Sequence, residues 1–160
     1  MVQVNPEHLR AIVERINKGP YFKLLGLVVE DIGPGYAQMK LDVQSCHMTP
    51  FGSIHGGTYA GMIDSATYWA VYASLEEESG WITLDLNVNM LANITSGELI
   101  VTGKEVRVGK TIALAEATIH DNRGRIYAQG YSKMLVTGGL KTIPDIIAYT
   151  GGGSLPPKYL

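Results

Sequence analysis

The sequence has little cysteine and little net charge. Its 160 residues include one cysteine, Cys46, which excludes an internal disulfide and a metal site built from several cysteines. The formal net charge is −2, and no run of lysine or arginine provides a footprint for nucleic acid or for an anionic membrane surface. We therefore expect neither nucleic acid nor a membrane as a partner.

The sequence also lacks the pattern of a signal peptide or of a membrane span. Glu7, Arg10 and Glu14 interrupt the N-terminal region where a signal peptide needs an apolar core. The longest apolar stretch, residues 54–75, contains Asp64, glycines and several hydroxyl groups, which disfavour a span through lipid. From these features we expect a cytoplasmic protein.

The composition is typical of one globular domain. Hydrophobic residues make up 46% of the chain and charged residues 18%. We find no internal repeat and predict a single domain over residues 1–160. An N-terminal helix is predicted over about residues 6–17, because Asn5 can cap it and Pro6 suits its first position. The glycine- and proline-rich tail, about residues 150–160, is predicted to be mobile.

Between these ends, the chain alternates between apolar and polar residues in several segments. Residues 25–43 are predicted to form a hairpin around Gly33-Pro34-Gly35. Further strands are predicted near residues 82–90, 98–108, 111–120 and 125–136, followed by a short helix near residues 140–149. In the first of these strands, the alternation places five apolar residues on one face (Ile82, Leu84, Leu86, Val88 and Met90) and four polar ones on the other (Thr83, Asp85, Asn87 and Asn89).

Residues 54–74 form the apolar centre of the chain. They contain no proline, are almost all apolar or small, and predict a long helix buried in the domain. Consecutive strands joined by short turns predict an antiparallel sheet on which this helix packs. We predict an α+β fold in which a curved antiparallel sheet of about five to six strands wraps around the helix. The uncovered sheet face and edges predict a dimer or larger assembly.

The predicted helix opens with His55, Gly56 and Gly57. Backbone N–H groups in a first turn lack partners within the helix, and they lie at its positive end. They suit the oxygen of a thioester carbonyl and the oxyanion that develops on it, and glycine allows close approach. The alternative is that both glycines only permit a tight junction between loop and helix.

Asp64 is a carboxylate inside the apolar helix. An unpaired acid there is costly, so it is expected to have a partner or a catalytic task. As a general base it would activate water, and as a nucleophile it would form an anhydride. The alternative is a buried acid satisfied by Ser65 or Thr67. Gly57 and Asp64 lie about 10 Å apart along one helix, so a second subunit must supply one of them to a shared site.

Four segments together resemble the hotdog-fold acyl-CoA thioesterases. They are Ile54-His55-Gly56-Gly57, Asp64 nine residues after the histidine, residues 83–87 (Thr-Leu-Asp-Leu-Asn) and residues 107–111 (Arg-Val-Gly-Lys-Thr). The resemblance covers about residues 20–137. It is greatest to the phenylacetic-acid-degradation branch, which includes the mammalian thioesterase superfamily member two. It implies a homodimer or homotetramer whose active sites lie at subunit interfaces, where the Asp64 of one subunit faces the His-Gly-Gly of the other. It also implies an acyl-CoA substrate, with coenzyme A as part of that substrate and no metal or redox cofactor.

The resemblance also implies roles for three further residues. Thr83 corresponds to a hydroxyl that orients the attacking water, and its alternative is an exposed strand threonine. Thr49 departs from the family pattern, because relatives often carry an asparagine six residues before the histidine. Either the Thr49 hydroxyl substitutes for that amide, or polarisation falls mostly to Gly56. His55 is expected to hydrogen-bond either the loop or the substrate carbonyl.

Binding of coenzyme A is expected to involve the turn near residue 109. Arg107 and Lys110 could hold its phosphates, unless they are two ordinary solvated side chains. Asn87 could line the path by which the substrate reaches the site. The function predicted from the sequence is acyl-CoA hydrolysis. The alternatives are a non-catalytic acyl-CoA binding or sensing module, which would not need Asp64, and a hotdog hydratase or dehydratase.

Overall fold

The structure is a computed structural model that describes residues 3–151 and 153–160, with the backbone alone for residues 148–150. Its helices are α1 (Pro6–Ile16), α2 (Pro20–Leu25), α3 (Gly56–Ala70) and α4 (Ile143–Thr150). Its strands are β1 (Leu27–Gly33), β2 (Tyr36–Val43), β3 (Gly80–Met90), β4 (Gly97–Val108), β5 (Ile112–His120) and β6 (Ile126–Thr137). Short 3-10 turns cover Ser45–His47 and Tyr72–Ser74. None of the helices in the described part of the chain is long and apolar enough to cross a membrane.

The six strands form one antiparallel sheet in the order β1-β2-β4-β5-β6-β3. Helix α3 contacts every strand of this sheet. Six strands spaced about 4.8 Å apart span about 24 Å, whereas a helix is only about 10 Å across. One helix can therefore touch all six strands only if the sheet curves around it. This confirms the predicted sheet wrapped around a central helix.

Small residues let α3 lie close to the sheet. A Cβ added at Gly103 of β4 would lie 2.2 Å from the carbonyl oxygen of Ala66. Any side chain at position 103 would therefore push the helix away. Most of α3 is buried as a result, and one stripe of its surface stays open to solvent. That stripe contains Gly57, which is exposed, and the half-buried residues Ala60, Gly61, Asp64 and Tyr68.

Strand β3 lies at one edge of the sheet and contains a β-bulge between Thr83 and Asp85. The extra residue reverses the faces of the strand beyond it. Before the bulge Ile82 points outward and Thr83 points toward α3. After it, Leu86 pairs with the buried Ser132 and points inward, while Asp85 points outward to Lys133. The prediction that Ile82 to Met90 share one face was therefore wrong.

Helix α2 is an element that the sequence did not predict. Helix α1 ends at Ile16, and Pro20 then occupies the first turn of a new six-residue helix. This helix ends at Gly26, whose φ of +68° favours glycine. A ring nitrogen of His47 lies 2.7 Å from the carbonyl oxygen of Leu25 and ties the end of α2 to the loop before α3.

The C-terminal segment packs against the domain, which contradicts the predicted mobile tail. The Asn5 N–H donates to the Lys158 carbonyl at 2.8 Å, and the Leu160 N–H donates to the Gln3 carbonyl at 3.0 Å. The Lys158 side chain is 1% exposed. Its ammonium group donates to the carbonyls of Tyr72, at 3.0 Å, and Leu75. Nothing in the sequence pattern predicts a buried lysine at this position. Gly152, also in the predicted tail, lies outside the described residues.

Candidate active site

Asp64 lies on the open stripe of α3, where β3 begins. The hydroxyl of Thr83 donates a hydrogen bond to Asp64 Oδ1 at 2.9 Å. Thr83 pairs with the buried Met134 and therefore faces the helix, so it is not an ordinary exposed strand residue. Asp64 and Thr83, predicted separately from the sequence, are thus brought together.

The Thr67 hydroxyl, one of two expected to satisfy a purely structural Asp64, points elsewhere. Thr67 donates to backbone carbonyls of its own helix, those of Ile63 at 2.9 Å and Asp64 at 3.0 Å. It also accepts a hydrogen bond from Ser132. Tyr68, one turn beyond Asp64, has its pKa raised to about 12 by burial and by the neighbouring Asp64 charge. The carboxylate therefore combines one fixed donor with an open side.

At the start of α3, His55 is the N-cap. Its ring Nδ1 accepts the N–H of Gly57 at 2.8 Å. Among the described residues, the N–H of Gly56 has no corresponding partner. The cap thus assigns the Gly57 amide to His55 and leaves the Gly56 amide for a ligand. The Met90 side chain lies over Gly56, 2.6 Å from where a Cβ would stand.

The loop before α3 holds Thr49 in a tight turn. The Thr49 hydroxyl lies 2.9 Å from that of Ser53, and the Thr49 N–H donates to the Ser53 carbonyl at 2.7 Å. These bonds occupy Thr49 within its own loop. The side chain of Asn93 fixes the loop from the other side by accepting the N–H of Ile54 at 2.9 Å. At the loop tip, Phe51 is 95% exposed.

Two of the three predicted coenzyme A contacts, Arg107 and Lys110, lie at the end of the sheet opposite Gly56, and the third, Asn87, lies on the outer face of the sheet. Asn87 follows the bulge and points to the outer face of the sheet, where it accepts a hydrogen bond from Asn89 at 3.2 Å. Arg107 and Lys110 are exposed at the β4–β5 turn. That turn lies where β6 ends and β3 begins, at the opposite end of the sheet from Gly56.

Gly56 and Asp64 also remain apart within one subunit. Eight residues of α-helix rise about 12 Å, too far for both groups to reach one carbonyl carbon. The single chain therefore contains two candidate half-sites. One has the free Gly56 N–H, and the other has Asp64 with Thr83.

Tyr21 of α2 is a neighbour of Asp64 that the sequence analysis missed. Burial and the negative charge of Asp64 both raise the pKa of its phenol. The sequence signal for α2 is Gly19-Pro20, because a proline suits the first turn of a new helix. In the residues that the structure describes, no cluster of three or more His, Cys, Asp or Glu side chains could hold a metal ion.

Comparison with known proteins gives a consistent family. Residues 51–128 match the model of the Thioesterase superfamily. A presumed esterase of Mycobacterium tuberculosis is 30% identical over 118 residues, which cover 72% of this chain and 84% of the relative. Acyl-coenzyme A thioesterase 13 of Homo sapiens is 24% identical over 128 residues, covering 78% of this chain and 91% of the relative.

Solved structures confirm the hotdog fold. A thioesterase from Haemophilus influenzae superposes with a TM-score of 0.77 at 20% identity, covering 88% of this chain and 98% of its own. The presumed esterase from M. tuberculosis superposes with a TM-score of 0.71 at 29% identity, covering 74% of this chain and 97% of its own.

Proposed function

The chain belongs to the thioesterase superfamily, and from that membership we propose that it hydrolyses acyl- or aryl-coenzyme A to the free acid and coenzyme A. The observation that carries this proposal is the pairing of Asp64 with Thr83 on the open stripe of α3. A carboxylate held by one hydroxyl and open on its other side is suited to take a proton from water.

The proposed reaction uses the two half-sites on one thioester. The Gly56 N–H, at the positive end of α3, donates to the carbonyl oxygen and to the oxyanion that forms from it. Asp64 accepts a proton as the water oxygen attacks the carbonyl carbon. Collapse of the tetrahedral intermediate breaks the C–S bond and releases the carboxylic acid, and the thiolate of coenzyme A takes the proton from Asp64, which regenerates the base.

The facing half-site is proposed to come from a second copy of the chain. Strand β3 is an edge strand and carries the exposed apolar residues Ile82, Leu84, Leu86 and Met90. Exposed apolar edges favour pairing with another chain. Two copies joined at β3 would continue the sheet and bring the Gly56 end of one subunit toward the Asp64 of the other. We propose that the chain forms a homodimer, and that two such dimers pair to form a homotetramer.

The remaining substrate contacts are also proposals. Arg107 and Lys110 are proposed to hold the phosphates of a coenzyme A molecule that is bound at a site on the partner subunit. Coenzyme A enters as part of the substrate, with no resident cofactor, and the protein is proposed to act in the cytoplasm. We also propose that the chain belongs to the phenylacetic-acid-degradation branch of the superfamily. An arylacetyl-CoA is therefore included among the substrates tested.

The test is thiol release from a panel of aryl-, short-chain and long-chain acyl-CoAs. Wild type is expected to release free thiol from at least one member. Asp64→Asn keeps the size of the side chain but removes the base, so kcat is expected to fall by about 10²–10⁴. Asp85→Asn is the matched control, because Asp85 is exposed on the outer face and pairs with Lys133 at 2.8 Å. The control is expected to stay within about twofold of wild type.

Two outcomes contradict the proposal in different ways. If wild type binds acyl-CoA but releases no thiol from any of the panel, the chain is the non-catalytic binding module. If thiol is released and Asp64→Asn retains full kcat, hydrolysis stands and the assigned base is wrong. Formation of an enoyl- or hydroxyacyl-CoA product without thiol release would indicate the hydratase.

A further inference from the structure

Helix α2 lies across the open stripe of α3. The hydroxyl of Tyr21 rests on Gly61, where an added Cβ would lie 2.2 Å from the phenolic oxygen and 3.4 Å from Leu25 Cδ2. Any other residue at position 61 would therefore displace Tyr21. The absence of a side chain at Gly61 creates the space that the phenol fills.

Gly61 lies three residues before Asp64 on α3. Residues with this spacing are neighbours on a helix surface, with Cβ positions about 5–6 Å apart. The phenol of Tyr21 is thus placed beside the carboxylate, close enough for the Asp64 charge to act on it. Among the described residues, the Tyr21 phenol forms no direct hydrogen bond with the Asp64 carboxylate.

The two sides of Asp64 differ. Thr83 approaches from β3 and donates to Oδ1. Tyr21 approaches from α2, on the solvent side, and is 49% exposed. A water bound to the free side of the carboxylate would lie between Asp64, which accepts its proton, and Tyr21, which offers a second hydrogen-bonding group. Two fixed partners orient the lone pair of a water, whereas one partner leaves it free to rotate.

We propose that Tyr21 positions the water that Asp64 activates, through a hydrogen bond between its phenol group and the water oxygen. This inference rests on the proposed hydrolysis of a thioester. It assigns to α2, which the sequence did not predict, a direct contact with the attacking molecule. Thr83 then orients the carboxylate, and Tyr21 orients the water.

The first variant is Tyr21→Phe, which removes one oxygen from a half-exposed side chain. The loss of one hydrogen bond to the reacting water is expected to lower kcat about tenfold. KM is expected to stay within about twofold for every acyl-CoA, because the phenol contacts water and not substrate. The matched control is Tyr36→Phe, since Tyr36 also presents an exposed hydroxyl, which donates to Asp31 at the β1–β2 turn. The control is expected to leave both kcat and KM unchanged.

A second variant displaces the same phenol by changing Gly61, the residue on which it packs. Gly61→Ala favours the helix but places a methyl group where the Tyr21 oxygen stands, so it is expected to lower kcat as Tyr21→Phe does. In Tyr21→Phe the ring carbon Cζ lies 3.4 Å from that methyl position, which is an ordinary contact. The double variant is therefore expected to match Tyr21→Phe alone, and the two effects will not add.

The outcomes separate this inference from the proposed function. If Asp64→Asn is inactive while Tyr21→Phe keeps the kcat of wild type, Tyr21 does not hold the water and hydrolysis by Asp64 stands. If Tyr21→Phe changes KM or the preference among acyl chains with kcat unchanged, Tyr21 lines the substrate pocket and the inference is overturned. If wild type releases no thiol, the proposed function itself has failed.

Discussion

At the first turn of α3, two neighbouring backbone amides have different partners. The ring nitrogen of His55 accepts a hydrogen bond from the N–H of Gly57, as an N-cap side chain usually does. The N–H of Gly56 points away from any partner in the described chain. Of the two glycines, Gly56 is therefore the one proposed to supply the oxyanion donor, and His55 fixes the turn that presents its N–H.

Replacing Gly56 by proline removes that N–H while keeping the helix. Proline suits the first position of a helix, and His55 already has φ −72° and ψ 133°, the extended conformation that a residue before proline requires. We expect Gly56→Pro to lower kcat by about 10²–10³, the usual effect of losing one oxyanion donor. The measurement is kcat by thiol release, together with circular dichroism to confirm the helix.

Gly56→Ala is the matched control for this change. It adds a Cβ at the same place, against the flexible end of Met90, but keeps the N–H. Its kcat is expected to stay within about threefold of wild type, since the donor remains. Equal losses in the alanine and proline variants would mean that crowding by Met90, and not the amide, is responsible.

Among the secondary-structure elements, α3 was predicted from composition, because a long stretch of apolar and small residues without proline favours a buried helix. The hairpin β1–β2 followed equally from Gly33-Pro34-Gly35 and strict alternation. The bulge in β3 could not be predicted, because one extra residue leaves the pattern of residue types intact while reversing the faces beyond it. For that reason Asn87 was assigned to the site and now lies on the outer face.

The site was predictable to the extent that it depends on single residues in a motif. Asp64 and Thr83 were found from the sequence, and the structure joins them by a hydrogen bond. Tyr21 was not found, because its position depends on how α2 crosses α3, a packing relation between distant segments. The buried Lys158 was missed for a similar reason, since a lysine near a chain end normally stays in solvent.

The C-terminal segment gives a pH-dependent stability. Burial lowers the pKa of Lys158 to about 8, whereas in the unfolded chain it returns to its usual value near 10.5. Between these values the unfolded chain binds the proton and the folded chain does not, so the free energy of unfolding rises as pH rises from 8. The rise attributable to Lys158 is expected to be about 2 kcal/mol at most between pH 7.5 and 9.5.

Lys158→Met isolates this effect. The variant loses hydrogen bonds to the carbonyls of Tyr72 and Leu75 and is expected to be less stable throughout. Its stability should nevertheless lack the rise above pH 8, because methionine does not titrate. Urea unfolding of both proteins at pH 7.5, 8.5 and 9.5 measures the difference in slope. Parallel pH dependences would show that Lys158 is not the group responsible.

For the whole molecule, the chain shows two half-sites that lie about 12 Å apart along one helix. The apolar edge strand β3 and Phe51 are both exposed in the single chain. Two arrangements are then distinguishable. Either the residues of one half-site are enough for each chain to catalyse the reaction, or each active site combines Gly56 of one chain with Asp64 of another. A mixture of two inactive variants tells them apart.

Asp64→Asn and Gly56→Pro each destroy a different half-site. In a dimer of one with the other, the first interface site combines both defects. The second combines the intact Gly56 of one chain with the intact Asp64 of the other. Co-expression in equal amounts gives about half mixed dimers with one working site in two, so about a quarter of wild-type activity is expected. Each variant alone should show almost none. If the co-expressed mixture assembles as dimers and is no more active than the separate variants, the exchange of half-sites between chains is refuted.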